Sequence, residues 1–158
     1  MTVIIDWASK WSARITTAAV LAIAVLLVVC LLISIFFRYI IGHALSFPEE
    51  LSMLLFAWLV LLTGSLGVRE GFHVRLTLLT NKLPSTMRKV LARLITVGII
   101  LFGGVLLYSG QDLVVRTAGD LSATLRYPIE FLYYPAPVCG ALIIVHGLSK
   151  LFNPEMES

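Results

Sequence analysis

Four long apolar blocks limit what this chain can fold into. They run over about Ile15–Phe37, Leu51–Val68, Leu91–Tyr108 and Ile129–Leu148. A bilayer core about 30 Å thick takes about 20 helical residues to cross. The first and last blocks meet that length. The second and third are shorter, so their helices must continue into the interface. Backbone groups in lipid have to pair within the protein, which makes each block a helix. A transmembrane barrel would instead show short segments of alternating polarity, and the chain has none. The expectation is an all-α membrane protein: a single membrane domain, residues 1–158, with four transmembrane helices. Composition agrees, being 59% hydrophobic and only 13% charged. The first block is too long for the apolar region of a cleavable signal, about 7–15 residues, so it is expected to stay as a span.

Orientation follows from Lys and Arg. The first tail carries Lys10 and Arg14. The loop between spans two and three, with its flanks, carries Arg69, Arg75, Lys82, Arg88, Lys89 and Arg93, and the last tail carries Lys150. The other two loops hold only Arg38, Arg116 and Arg126. Basic loops stay cytoplasmic, so both termini and the middle loop are expected there. The remaining loops then face the periplasm of a Gram-negative cell. The net charge of +3 is thereby a matter of topology and membrane lipid, not of nucleic-acid binding.

The middle loop has its own pattern. Phe72, Leu76, Leu79 and Leu83 recur at helical spacing, with Arg75 and Lys82 off the stripe and Pro84 as a stop. This predicts a short amphipathic surface helix between helices 2 and 3; the alternative is an irregular loop with scattered leucines. Span two opens with Ser46 and Glu49 in capping-box spacing, and Glu49 and Glu50 suit the positive end of a helix dipole. Trp7 and Trp11 before span one, and Tyr127, Tyr133 and Tyr134 before span four, read as aromatic belts. Pro135 and Pro137 are expected to kink span four. Ala18/Ala22 and Thr63/Gly67 have the small-residue spacing of closely approaching helices.

The sharpest functional signal is negative. Ionisable groups inside spans mark ion paths, proton relays and substrate sites, and the centres of these four blocks contain none. Haem would need His ligands at facing depths, whereas His43, His73 and His146 are spread over loops and a span end. No His/Cys cluster has zinc-ligand spacing, and no Ser or Cys has a His partner at its depth. Cys30 and Cys139 read as small buried hydrophobes. The chain is expected to be no enzyme, with no cofactor and no metal, and to serve as a packing partner.

The groups at the span ends remain. Arg38 is either a snorkelling interfacial group or a partner for Glu49, Glu50 or another subunit. Glu49 and Glu50 either cap span two or make polar contacts. Trp58 lies mid-span, where its indole N–H needs an acceptor, within the chain or across an interface. His73 and Arg75 are surface-helix polar groups or docking contacts.

Read in order, these pieces form a pattern. Arg38-Tyr39 precedes Ser46-Phe47-Pro48-Glu49-Glu50-Leu51. Trp58 and Gly64 follow, then Arg69-Glu70-Gly71-Phe72-His73-Val74. Further on come Gly110, Ser122-Ala123-Thr124-Leu125-Arg126-Tyr127-Pro128 and Tyr134-Pro135. From about Arg38 to Leu148 the chain resembles the small-permease (DctQ-type) subunit of tripartite ATP-independent periplasmic (TRAP) transporters. One departure is Phe47, where that family commonly has Trp. The resemblance implies a large multi-span permease subunit as partner, which holds the sodium and substrate sites and moves as an elevator. It also implies a periplasmic substrate-binding protein that delivers an organic acid. The small subunit would enlarge the static scaffold, in the bacterial inner membrane. On this reading Arg38, Glu49, Glu50 and Trp58 contact the large subunit or fix the turn between spans one and two. Arg69, His73 and Arg75 would set the surface helix against that subunit. In the loop from Gln111 to Glu130, with its mixed charges, Arg116, Asp120 and Arg126 would meet the binding protein. The alternatives are a scaffold subunit of an unrelated complex, such as a respiratory assembly, and a small four-helix exporter. The exporter would need an embedded acidic residue, which span one lacks.

Overall fold

The computed structural model describes residues 2–43, 45–70 and 85–152. Helix α1 (Thr2–Phe36) passes into a five-residue π-helical turn, Phe37–Ile41. Helices α2 (Ser46–Glu70) and α3 (Ser85–Arg116) follow, then a short α4 (Glu130–Tyr133) and α5 (Pro135–Phe152). The described residues contain no strand, only one isolated antiparallel bridge from Leu121 to Pro128. Four stretches are long and apolar enough to cross a membrane: Trp11–Ile41, Ser46–Val68, Val90–Arg116 and Glu130–Ser149. The all-α, four-span expectation is met. The surface helix predicted around Phe72–Leu83 lies outside the described residues.

The helices run past the apolar blocks. Span two begins at Ser46 and span three continues to Arg116. Hydropathy marks where lipid is, whereas an established helix adds a bond for each further residue until something stops it. Beyond Tyr108 the polar segment stays helical, helped by an Asp112–Arg116 ion pair one turn apart at 2.7 Å. It stops where the Thr117 hydroxyl donates to the Leu113 carbonyl at 2.9 Å and Gly119 takes a left-handed φ of 91°. The first span, 31 residues, is about 46 Å long at about 1.5 Å per residue. It has to tilt or project to fit a core about 30 Å thick.

Helix α5 is the hub. The α3–α5 pair has the most extensive contact, followed by α1–α2, α2–α5 and α1–α5; among the described residues α3 has no extensive contact with α1 or α2. In an 18-residue apolar stretch of the fourth span 39% of residues are buried, against 11% in the like stretches of the first and third. The buried set includes Ala13, Cys30, Leu62, Val114, Cys139 and Ile143, with Ser65, Thr96 and His146. Two thiols help tie it together. Cys30 donates to the Pro48 carbonyl at 3.3 Å and Cys139 to the Leu61 carbonyl at 2.9 Å.

Glycines set the α3–α5 spacing. Gly103 and Gly110 on α3, and Gly140 and Gly147 on α5, stand two turns apart and so share one face of each helix. A Cβ on Gly140 would lie 2.6 Å from Leu107 N and 2.7 Å from Gly103 O. One on Gly110 would lie 2.7 Å from Pro137 Cδ, and one on Gly147 2.6 Å from Ile100 Cγ1. The backbones therefore touch where side chains would otherwise hold them apart. The small residues expected to do this behave differently: Ala18, Ala22 and Thr63 are exposed.

Candidate functional site

Among the described residues, the bonds made by charged side chains gather at one end of the bundle, where α1 meets α2 beside the 117–129 loop. The π turn at Phe37–Ile41 ends on Gly42, whose φ of 76° is left-handed and whose N–H donates to Phe37 O. His43 N donates to the same carbonyl at 3.2 Å. A π turn holds an extra residue per turn and re-aims the side chains it carries. It carries Arg38, whose Nη2 donates to Glu49 Oε1 at 2.6 Å. Both side chains stay more than half exposed, at 54% and 58%. Glu49 is thus engaged across the α1–α2 turn. Among the described residues it makes no capping-box bond with Ser46.

Glu50 turns to a distant part of the chain. Its Oε2 accepts from the backbone N–H groups of Leu125 at 2.7 Å and Thr124 at 3.1 Å. The Ser122 hydroxyl and the Ala123 amide also bear on this carboxylate. The loop around these amides is a small hairpin. Ser122 N donates to Tyr127 O at 2.9 Å, Ile129 N to Asp120 O at 3.0 Å, and Tyr127 N to Ser122 Oγ at 3.2 Å. Its tip passes through Arg126, whose φ of 52° is left-handed although it is not glycine. A second carboxylate holds the base of the hairpin, Glu130 Oε1 accepting from Gly119 N at 3.1 Å. Tyr127 sits inside this arrangement. Burial first, then the nearby Glu50 carboxylate and the Tyr133 phenol, raises the pKa of its own phenol above the ordinary range.

Trp58 completes the site from within the bundle. Pro135 has no N–H, so the Phe131 carbonyl four residues earlier has no helical donor. The indole Nε1 of Trp58 fills that place at 2.9 Å. The helix assignment is interrupted at Tyr134, between α4 and α5, and Trp58 supplies the donor that the proline removes.

The remaining expected residues divide as follows. Arg116 is paired with Asp112. Asp120 and Arg126 are exposed on the hairpin, and Arg126 forms no ion pair among the described residues. Arg69 is in the last turn of α2, at the far end of that helix from Glu50. His73 and Arg75 lie outside the described residues. No group of three or more His, Cys, Asp or Glu gathers among the described residues. Two segments singled out in the sequence, 46–51 and 122–128, are each other's partners through Glu50, which reading along the chain did not show. Backbone donors carry no residue signature, so only the two flanking motifs hinted at it. The chemistry available is that of a clasp: charged and amide groups fix helix ends and a loop, and the span centres remain apolar.

Comparison with known proteins agrees in extent and in kind. Residues 27–155 match the family model of the DctQ component of tripartite ATP-independent periplasmic transporters. The chain is 28% identical over 116 residues to the sialic acid TRAP transporter small permease protein SiaQ of Vibrio cholerae, covering 73% of this chain and 67% of that one. It is 28% identical over 114 residues to the C4-dicarboxylate TRAP transporter small permease protein DctQ of Rhodobacter capsulatus, covering 71% of this chain and half of that longer one. With the family match running through the clasp, the hairpin and the glycine-packed helices alike, this chain belongs to the DctQ-type small permease subunits of TRAP transporters.

Proposed function

We propose that this chain is the fixed scaffold of an ion-coupled, sodium-driven importer of an organic acid in the bacterial inner membrane. A large multi-span permease subunit is its partner and carries the solute and ion sites. A periplasmic binding protein delivers the solute. Both termini lie in the cytoplasm and the Arg38 end faces the periplasm, in keeping with the distribution of Lys and Arg.

The observation that carries this reading is the contrast between the span centres and the outer surface. The centres hold no charged side chain to bind or relay an ion. The surface offers large exposed apolar side chains along α1 (Leu21, Val25, Val28, Leu32) and α3 (Leu94, Leu101, Val105). Because α3 is joined mainly to α5, much of its circumference is open to a neighbouring helix. Such a body suits support, not translocation. Both relatives are named for carboxylate solutes, sialic acid and C4-dicarboxylates, which supports an organic acid here. Arg38 and Glu49, more than half exposed, meet the large subunit at the α1–α2 turn. Arg69, His73 and Arg75 meet it at the cytoplasmic end. Glu50 and Trp58 serve the same contact indirectly, by holding the loop and the start of α5.

The test is co-purification from the native membrane under gentle extraction. A stoichiometric large permease supports the reading, and its cognate binding protein identifies the solute. Recovery of the chain alone, or with redox subunits, defeats it.

A further inference from the structure

Donors of the 120–129 hairpin converge on one point. The backbone N–H groups of Leu125 and Thr124 donate to Glu50 Oε2 at 2.7 Å and 3.1 Å. The Ala123 amide and the Ser122 hydroxyl bear on the same carboxylate. Three of these donors are consecutive main-chain amides. A run of amides faces one way only where the backbone turns, and Arg126, next in the chain, turns it with its left-handed φ of 52°. This is the geometry of a backbone nest, a concavity that binds anions. Ser122 is built into it, being only 6% exposed. Its Oγ accepts from Tyr127 N at 3.2 Å, which leaves the hydroxyl proton free to donate toward the carboxylate. Among the described residues no cationic side chain pairs with Glu50, so neutral donors alone hold this charge. Site and anion are also separate parts of the chain, the amides lying 74 and 75 positions from Glu50.

We propose that residues 122–125 form a carboxylate-binding site in their own right, that Glu50 is its resident, tethered ligand, and that a small free carboxylate takes its place when that side chain is removed. The donors recognise an anionic oxygen, and acetate carries the same group on a single methyl. Chloride has the charge without the paired oxygens. The outer connection between α3 and α5 is then held in shape by an exchangeable anion, which the chain happens to supply itself. The inference goes beyond the transporter reading and stands whichever subunits accompany the chain.

The experiment uses the full-length chain as it purifies from its membrane, and measures hydrogen exchange at single amides. Thr124 and Leu125 report the site. Ile129, whose N–H donates to Asp120 O at 3.0 Å, reports that the hairpin is closed. In the wild type the two site amides are expected to be protected with or without acetate, because a tethered ligand has the higher effective concentration. In Glu50→Ala, in sodium chloride, their exchange is expected to accelerate by more than about tenfold. Sodium acetate at the same ionic strength should restore the protection saturably. In Glu50→Gln, which keeps the size and loses the charge, exchange should be faster than in the wild type, since a neutral acceptor makes the weaker bond. Protection in Glu50→Gln equal to the wild type would overturn the anion site. So would a Glu50→Ala chain in which acetate has no effect while Ile129 stays protected, or in which chloride serves as well as acetate. Should Glu50→Ala open the whole hairpin, acetate has to close it again at Ile129 too, and failure there overturns the proposal.

Discussion

The glycine contact between α3 and α5 allows a test in which neighbouring residues serve as their own control. In Gly140→Ala the added methyl carbon falls 2.6 Å from Leu107 N, 2.7 Å from Gly103 O and 2.9 Å from Leu107 Cα. All three are backbone atoms, so no side chain can swing away. Reaching an ordinary contact of about 3.4 Å requires the helices to part by about 0.8 Å, starting from the 2.6 Å approach. Overpacking of this kind costs about 1–3 kcal/mol, here offset in small part by the better helix propensity of Ala. At about 2–4 °C per kcal/mol for a chain of this size, the melting temperature falls by about 2–12 °C. In Gly104→Ala, one residue along from the Gly103 contact, the new carbon meets nothing within 4 Å. That variant should gain about 0.5–1 kcal/mol. The assay is built into the chain: Cys30 and Cys139 are both free and buried, so a thiol-reactive fluorophore reports unfolding in detergent. Equal melting of the two variants, or a more stable Gly140→Ala, would refute the close-packing argument.

Other consequences can be measured in the same way. Trp58→Phe removes the donor to the Phe131 carbonyl and should cost about 1–3 kcal/mol. In a Pro135→Ala background the restored backbone N–H takes over, so the same change costs less; equal costs in a double-mutant cycle would break the link between the two residues. Arg38→Ala and Glu49→Ala should each cost less than about 1 kcal/mol, with the double variant no worse than either, because the pair is more than half exposed. Arg126→Gly relieves the left-handed strain and should raise stability by about 1 kcal/mol; a variant that melts earlier than the parent would contradict that expectation.

The sequence and the structure meet most closely where burial in lipid decides the outcome. Blocks of apolar residues leave no choice but helix, so the spans could be read directly. The pairing of Arg38 with Glu49 is legible, since a short turn joins their two spans. Glu50 with Thr124 and Leu125 was out of reach, because the acceptor is a side chain and the donors are main-chain amides 74 and 75 positions away. The π turn has no marker among the residues Phe37–Ile41. The glycine seam did leave a trace, two glycines seven apart in each of two adjacent spans. In a helix, glycine first reads as a weakness, and its value shows only when the facing backbone is known. Trp58, mid-span, needs an acceptor on its sequence position alone. Which one followed from Pro135, in a different span, and the connection required both helices in place.

The central place of α5 has a bearing on how the protein is made. The ribosome delivers α1, α2 and α3 in turn, but the helix that joins α3 to the others comes last. Until Pro135–Phe152 enters the bilayer, α1 and α2 form a hairpin of their own and α3 has no extensive contact to settle against. The glycine faces of α3 then pass some time bordering lipid instead of backbone. Assembly of this bundle therefore proceeds by late capture. Any chaperone or insertase that shelters α3 during that interval and then departs would act on the yield of the protein and leave its final stability unchanged.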